Sequence, residues 1–162
     1  MKKHKHFFWK YWLPIFLILG IIFTASSQPY DKQDLRPALS ERFDLHKLEP
    51  VFQNIQFHYA GSEVSVRRLG IEGFIEFFIR KGAHFGIFFL LGFLVYRLSR
   101  GYSVRQGKAV FYSLGFVAIF AAIDEFHQSL TPNRTPLLHD VLLDIVGGIF
   151  GIMLAILIYK QK

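Results

Sequence analysis

The chain has 162 residues, of which 52% are hydrophobic, 17% aromatic and only 19% charged, with a net charge of +7. A soluble domain carries about 25% charged residues, and it has no use for nineteen Phe in so short a chain. The absence of Cys removes a disulfide-stapled secreted domain as well, so composition excludes a soluble enzyme and a disordered protein and leaves a small integral membrane protein.

Charge is missing from four stretches: Tyr11 to Ala25, Gly82 to Tyr96, Ala109 to Ile123, and Val141 to Tyr159 apart from Asp144. A bilayer core needs about 20 helical residues. The first three stretches are shorter than that, so flanking residues must be drawn in. The third can extend only through Asp124-Glu125-Phe126-His127-Gln128, which places ionisable groups at hydrocarbon depth. Amphipathic segments that would cover four buried helices of a globular core are absent. A cleaved signal peptide is the alternative for the first stretch, with Lys2, Lys3 and Lys5 before it and Thr24-Ala25-Ser26 at its end.

Orientation follows from the basic residues. Segments 1–10, 97–108 and 160–162 carry ten Lys and Arg and no Asp or Glu. The positive-inside rule then predicts cytoplasmic termini. The net charge is a topology signal, and no nucleic-acid partner is expected.

Three regions are predicted: 1–25, a basic tail and first span; 26–73, an extracytoplasmic loop; and 74–162, a core with three further spans. In the loop, Asp34 to Leu48 reads as a short polar helix with Leu35, Leu39, Phe43 and Leu48 as its apolar stripe. Ile55, Phe57 and Tyr59 alternate ahead of Gly61-Ser62, and Val64 and Val66 after it, a hairpin pattern. Such a hairpin needs support from the bundle or the lipid surface. Ile71 to Lys81 reads as an interfacial helix entering the second span, with Glu72, Glu76, Arg80 and His84 on one face and a bend near Gly82.

Three polar clusters fall at the loop-side ends of the last three spans. They are Arg80-Lys81 with His84, then Asp124-Glu125 with His127-Gln128, then His139-Asp140 with Asp144, and Arg134 lies in the turn between the last two. Each ionisable group in a span costs about 2.5 to 3.5 kcal/mol, so the groups must turn inward and pair. Gly147, Gly148 and Gly151 allow close helix approach, either within the bundle or at a dimer seam.

The ordered pattern Arg80-Lys81-x-x-His84-Phe85, Asp124-Glu125-x-His127-Gln128, a Pro-containing turn with Arg134, and Asp140 leading a Gly-rich helix resembles the VanZ-like family of membrane proteins. Ser26-Ser27-Gln28-Pro29 after the first span is also similar to many members. The resemblance implies a four-helix envelope protein of a bacterial membrane. The family takes its name from a member associated with low-level resistance to the glycopeptide teicoplanin, and the resemblance implies such a role here. Two departures stand out: Asp144 where the family commonly has Asn, and Asn133 where Gly is usual.

The expected fold is therefore all-α, an integral membrane bundle of four transmembrane helices with a small extracytoplasmic loop region. Arg80, Lys81, Gln128, Arg134 and Asp140 are the candidate ligand contacts for a membrane lipid, a lipid-linked cell-wall precursor or a glycopeptide. Asp124, Glu125, His127 and His84 are the candidate acid/base groups of an alternative enzymatic reading, in which Ser129 is a weak nucleophile. His84, His127, Asp124 and Asp140 are a conceivable zinc set by residue type, but their spacing lacks a His-x-x-x-His signature on one helix. No metal or cofactor is expected from sequence.

Overall fold

The computed structural model describes residues 2–132 and 137–159. Four helices are long and apolar enough to cross a membrane: α1 Lys5–Ser26, α5 Val66–Gly101, α6 Gln106–Ser129 and α7 Leu138–Tyr159. The fold is all-α, and the protein is a multi-pass membrane protein. Around the bundle, Phe16, Phe23, Phe111, Ile119, Phe126, Met153 and Leu157 are exposed. Side chains of that kind face outward where the surrounding solvent is hydrocarbon.

Helix α1 opens with a π-helical turn at Phe8–Trp12, in which the Leu13 N–H reaches back to the Phe8 carbonyl. Pro14 follows. Its ring would crowd the carbonyl four residues earlier, and the wider turn relieves that contact.

The segment after α1 is broken into α2 Tyr30–Gln33, α3 Arg36–Arg42, a 3₁₀ turn Leu45–Leu48 and α4 Glu49–Phe52. The single helix expected over 34–48 is thus replaced by shorter pieces. Extended residues separate the pieces, and two of the pieces carry a proline at their start. Pro37 and Pro50 each occupy the first turn of a new helix, where a missing N–H is harmless. Between the pieces, Asp34 and Phe43 take extended conformations.

Strands β1 Gln56–Tyr59 and β2 Ser62–Ser65 pair antiparallel, with Phe57 opposite Val64 and Tyr59 opposite Ser62. The connecting residues Ala60 and Gly61 both have positive φ, 51° and 78°, as the tight hairpin turn requires. The predicted hairpin exists, and the bundle supports it. The Phe57 ring lies 5.8 Å from that of Phe77 and 6.0 Å from that of Phe78.

Ser65 caps the next turn by accepting a hydrogen bond from the Arg68 N–H at 3.2 Å. Gly70, with φ 72° and ψ 168°, then breaks the helix. That conformation suits glycine alone, and it redirects the chain into the bundle. The break sits at Gly70, not near Gly82 as expected, because Gly82 retains helical geometry. From residue 71 to 101 the helix is about 46 Å long, which exceeds a hydrocarbon core of about 30 Å. Its first turns therefore project toward the loop, as an interfacial segment would.

Helices α5 and α7 meet backbone to backbone. A Cβ added at Gly147 or Gly151 would approach the Phe85 or Phe89 carbonyl closer than 3.0 Å. One at Gly92 would strike Gly148, and one at Gly148 would strike Val117 of α6. The glycines therefore serve packing inside this bundle. Phe88, Leu91, Val117 and Ala121 fill its centre, and Tyr96, Ala109, Ile152 and Ala155 its terminal end.

Candidate functional site

The loop-side ends of α1, α5, α6 and α7 converge on a buried polar cluster. Asp124, Glu125, Asp140 and Asp144 are all buried there. Each has acquired a different partner, which decides what it can do.

Asp140, at the start of α7, accepts hydrogen bonds from Lys81 Nζ of α5 at 2.6 and 2.7 Å. The Tyr59 hydroxyl of β1 donates to the same carboxylate at 2.5 Å. The ammonium also lies 4.7 Å from the Tyr59 ring centroid. Burial, then the bond to Asp140, pushes the Tyr59 phenol well above its ordinary range, so the hydroxyl stays a donor. The hairpin is thus locked to the bundle through this ion pair. Of Arg80 and Lys81, Lys81 pairs with a carboxylate of the predicted clusters, Asp140.

Arg80 instead faces Glu76, one turn earlier on α5, at 4.0 Å. Its guanidinium lies 4.7 Å from the Tyr30 ring centroid. Glu76 is only 3% exposed and gathers the loop around itself. The Tyr30 hydroxyl donates to it at 3.3 Å, the Leu35 N–H at 3.5 Å, and Arg36 Nε pairs with it at 3.6 Å. Burial, then the Glu76 charge, raises the Tyr30 pKa. Hydrogen bonds from the Arg36 side chain and backbone hold Asp34 down at about 2. Sequence reasoning placed Glu76 on the correct helical face but gave it no role in the site. Its loop partners lie about forty residues away in sequence, and local spacing carries no signal for them.

Asp124 of α6 accepts from Ser26 Oγ at 2.6 Å and from Gln128 Nε2 at 2.9 Å. The Thr131 hydroxyl donates to the Ser26 carbonyl at 3.0 Å, so the end of α6 is clamped to the end of α1. Glu125 accepts from the Leu137 backbone N–H and ties α6 to the entry of α7. His84 Nδ1 lies 3.5 Å from Asp144 Oδ1. His127 is turned away from this cluster, and its ring stacks on Phe23 of α1 at 4.5 Å with an 11° interplanar angle. Arg134 and Asn133 lie outside the described residues.

Two cavities border the cluster. One, of about 280 Å³, lies between loop and bundle and is lined by Tyr30, Arg36, Tyr59, Glu76, Arg80 and Lys81 among others. The second, of about 350 Å³, is a cleft between α1 and α5. Ile21, Ile22, Ile87 and Phe88 wall it, and Ser26, Arg80, His84 and Asp124 sit at its polar side. Arg80 borders both. Chemically, the arrangement offers a guanidinium for an anion, an apolar trough for a hydrocarbon chain, and an imidazole among carboxylates.

A membrane-embedded helical bundle with a buried polar cluster beneath its long loop is the class these features define. The VanZ/LLP1 family model matches residues 11–159. The chain belongs to this family. No curated protein and no solved structure matches it.

Proposed function

We propose that this protein acts at a bacterial cell envelope, with both termini in the cytoplasm, by binding or altering a surface or lipid-linked wall component, and that it contributes to low-level teicoplanin resistance. One observation carries the reading: Arg80 stands where the loop-side cavity and the apolar α1–α5 cleft meet. An amphiphile with an anionic head matches that pairing. Its phosphate takes two hydrogen bonds from the planar guanidinium, and its hydrocarbon chain lies along Ile22, Ile87 and Phe88. Lys81, held by Asp140, forms part of the polar wall, and Gln128 orients Asp124. Arg134 belongs to the same proposed contact set by sequence. The ten basic residues on the terminal side support the orientation.

The test is a susceptibility comparison in a sensitive host. Cells expressing the protein should tolerate more teicoplanin than empty-vector cells, with a smaller effect for vancomycin, and Arg80→Ala should return tolerance to the vector level at equal membrane abundance. Unchanged tolerance with the Arg80 variant would remove the assigned contact. Because the chain has no Cys, Gly61→Cys offers a single thiol on the hairpin turn. An impermeant maleimide should label it from outside intact cells, and labelling only after lysis would reverse the orientation.

A second reading, acid/base chemistry on an envelope lipid or precursor, draws on His84 beside Asp144 and Asp124. It predicts a chemically altered lipid or wall precursor in mass spectra of expressing cells, which disappears with His84→Gln. Unaltered profiles with retained tolerance would leave binding as the function.

A further inference from the structure

We propose that His84, Asp124 and Asp144 form a binding site for one divalent transition cation of the zinc type. Three helices each contribute one ligand: His84 from α5, Asp124 from α6 and Asp144 from α7. One ligand atom from each lies within 4.8 Å of the other two, so modest side-chain rotation brings all three onto one ion.

A second observation is independent of that clustering. His84 Nδ1 and Asp144 Oδ1 are both buried, and neither has a hydrogen-bond partner among the described residues. Asp144 is 1% exposed, and a polar atom at that depth is costly when unmatched. The two atoms are 3.5 Å apart, which is too long for a good N–H···O bond. It is the separation expected of two ligands on one ion. Atoms each about 2.0–2.2 Å from a tetrahedral zinc lie about 3.4 Å from one another.

Charge and support agree with this. Two carboxylates and a neutral imidazole balance a dication, and without one the buried Asp144 has His84, 3.5 Å away, as its ion-pair partner among the described residues. Asp124 is already aimed by Ser26 Oγ and Gln128 Nε2, the outer-shell arrangement that fixes a ligating carboxylate. Each of its oxygens keeps a lone pair for a metal. One imidazole with two carboxylates suits zinc or a neighbouring first-row ion. His84 and Asp124 also line the α1–α5 cleft, so three protein ligands leave a further position open to that cleft, as in catalytic sites and unlike closed structural ones. The cation site stands independently of the amphiphile reading, since none of its ligands is a proposed anion contact.

The test uses the full chain in detergent, with any purification tag removed and with His4→Ala and His6→Ala to remove the paired N-terminal imidazoles. After chelator treatment, the protein is titrated with ZnCl2 and, separately, CoCl2. One zinc per chain should bind, the thermal midpoint should rise with zinc, and cobalt should give the visible absorption bands of a four-coordinate site. His84→Gln and Asp144→Asn should each weaken zinc binding at least tenfold and abolish the cobalt bands. Ser26→Ala should weaken binding about tenfold while keeping the bands, as an outer-shell change does. Folded parental protein that takes up no stoichiometric zinc or cobalt would overturn the site. So would a folded His84→Gln or Asp144→Asn protein with undiminished affinity. Because the first of these results needs no variant, failure of a variant to fold leaves the proposal testable.

Discussion

The terminal half and the loop half of this bundle solve the same packing problem by opposite means. Toward the termini, Tyr96, Ala109, Ile152 and Ala155 close the bundle with apolar and small side chains. In mid-bundle, Gly92, Gly148 and Gly151 bring backbones together. Toward the loop, buried carboxylates meet an ammonium, an imidazole, hydroxyls and backbone N–H groups. In lipid, helices gain little from hydrophobic association, so each half must hold by shape or by specific polar bonds. Shape tolerates no added atoms, and polar bonds tolerate no missing partner. The difference separates a half held by shape from a half held by specific polar bonds.

The largest effect is expected where shape alone acts. Gly151→Leu places side-chain atoms into the Phe89 backbone, and neither helix can yield without opening the bundle. The variant should fail to give a monodisperse species in size-exclusion chromatography of detergent extracts; a normal elution profile would show that α5 and α7 are not in contact there. Next comes the ion pair of the loop half. Lys81→Met leaves Asp140 buried without its cation, a loss of about 3 kcal/mol in unfolding free energy. Lys81→Met with Asp140→Asn should recover part of it, and a double-mutant cycle in denaturant-detergent mixtures measures the coupling. Third, Ser26→Ala removes one hydroxyl donor from Asp124, at about 1.5 kcal/mol, read by the same titration. If it costs nothing, the clamp between α1 and α6 is not what aligns Asp124.

The smallest effect belongs to the loop surface. His46 Nδ1 lies 2.8 Å from Glu49 Oε1. That hydrogen bond, with the Glu49 charge behind it, raises the His46 pKa above its ordinary value. Its contribution to stability is complete below the unfolded-state pKa of about 6.5. It disappears as pH rises through the raised folded-state value. His46 is exposed and Glu49 half-buried, so the slope should be shallow, and His46→Gln should abolish it in melting curves measured across neutral pH.

Much of this organisation is legible in the residues themselves. The gaps between charges mark four spans because hydrocarbon excludes ions, and the short third gap forces Asp124 to Gln128 into α6, which does run to Ser129. Phe57 and Tyr59 alternate because a strand has two faces, and the hairpin follows. An apolar stripe at helical spacing places Leu35, Leu39 and Phe43 on one face but carries no signal for the extended Phe43 that divides the loop helix.

What periodicity determines is which residues share a helical face; which neighbour that face meets is decided only by the fold. Asp124 and Gln128, one turn apart, stay together, whereas His127, one residue before Gln128, is rotated about 100° away and stacks on Phe23. Asp144 was legible as a buried charge one turn beyond Asp140. Yet its counterpart His84 lies on another helix, brought within 3.5 Å because Gly147 and Gly151 let α5 and α7 touch. Arg80 turned to Glu76 and Tyr30 for the same kind of reason: the loop folds back over α5, and distance along the chain carries no record of that return.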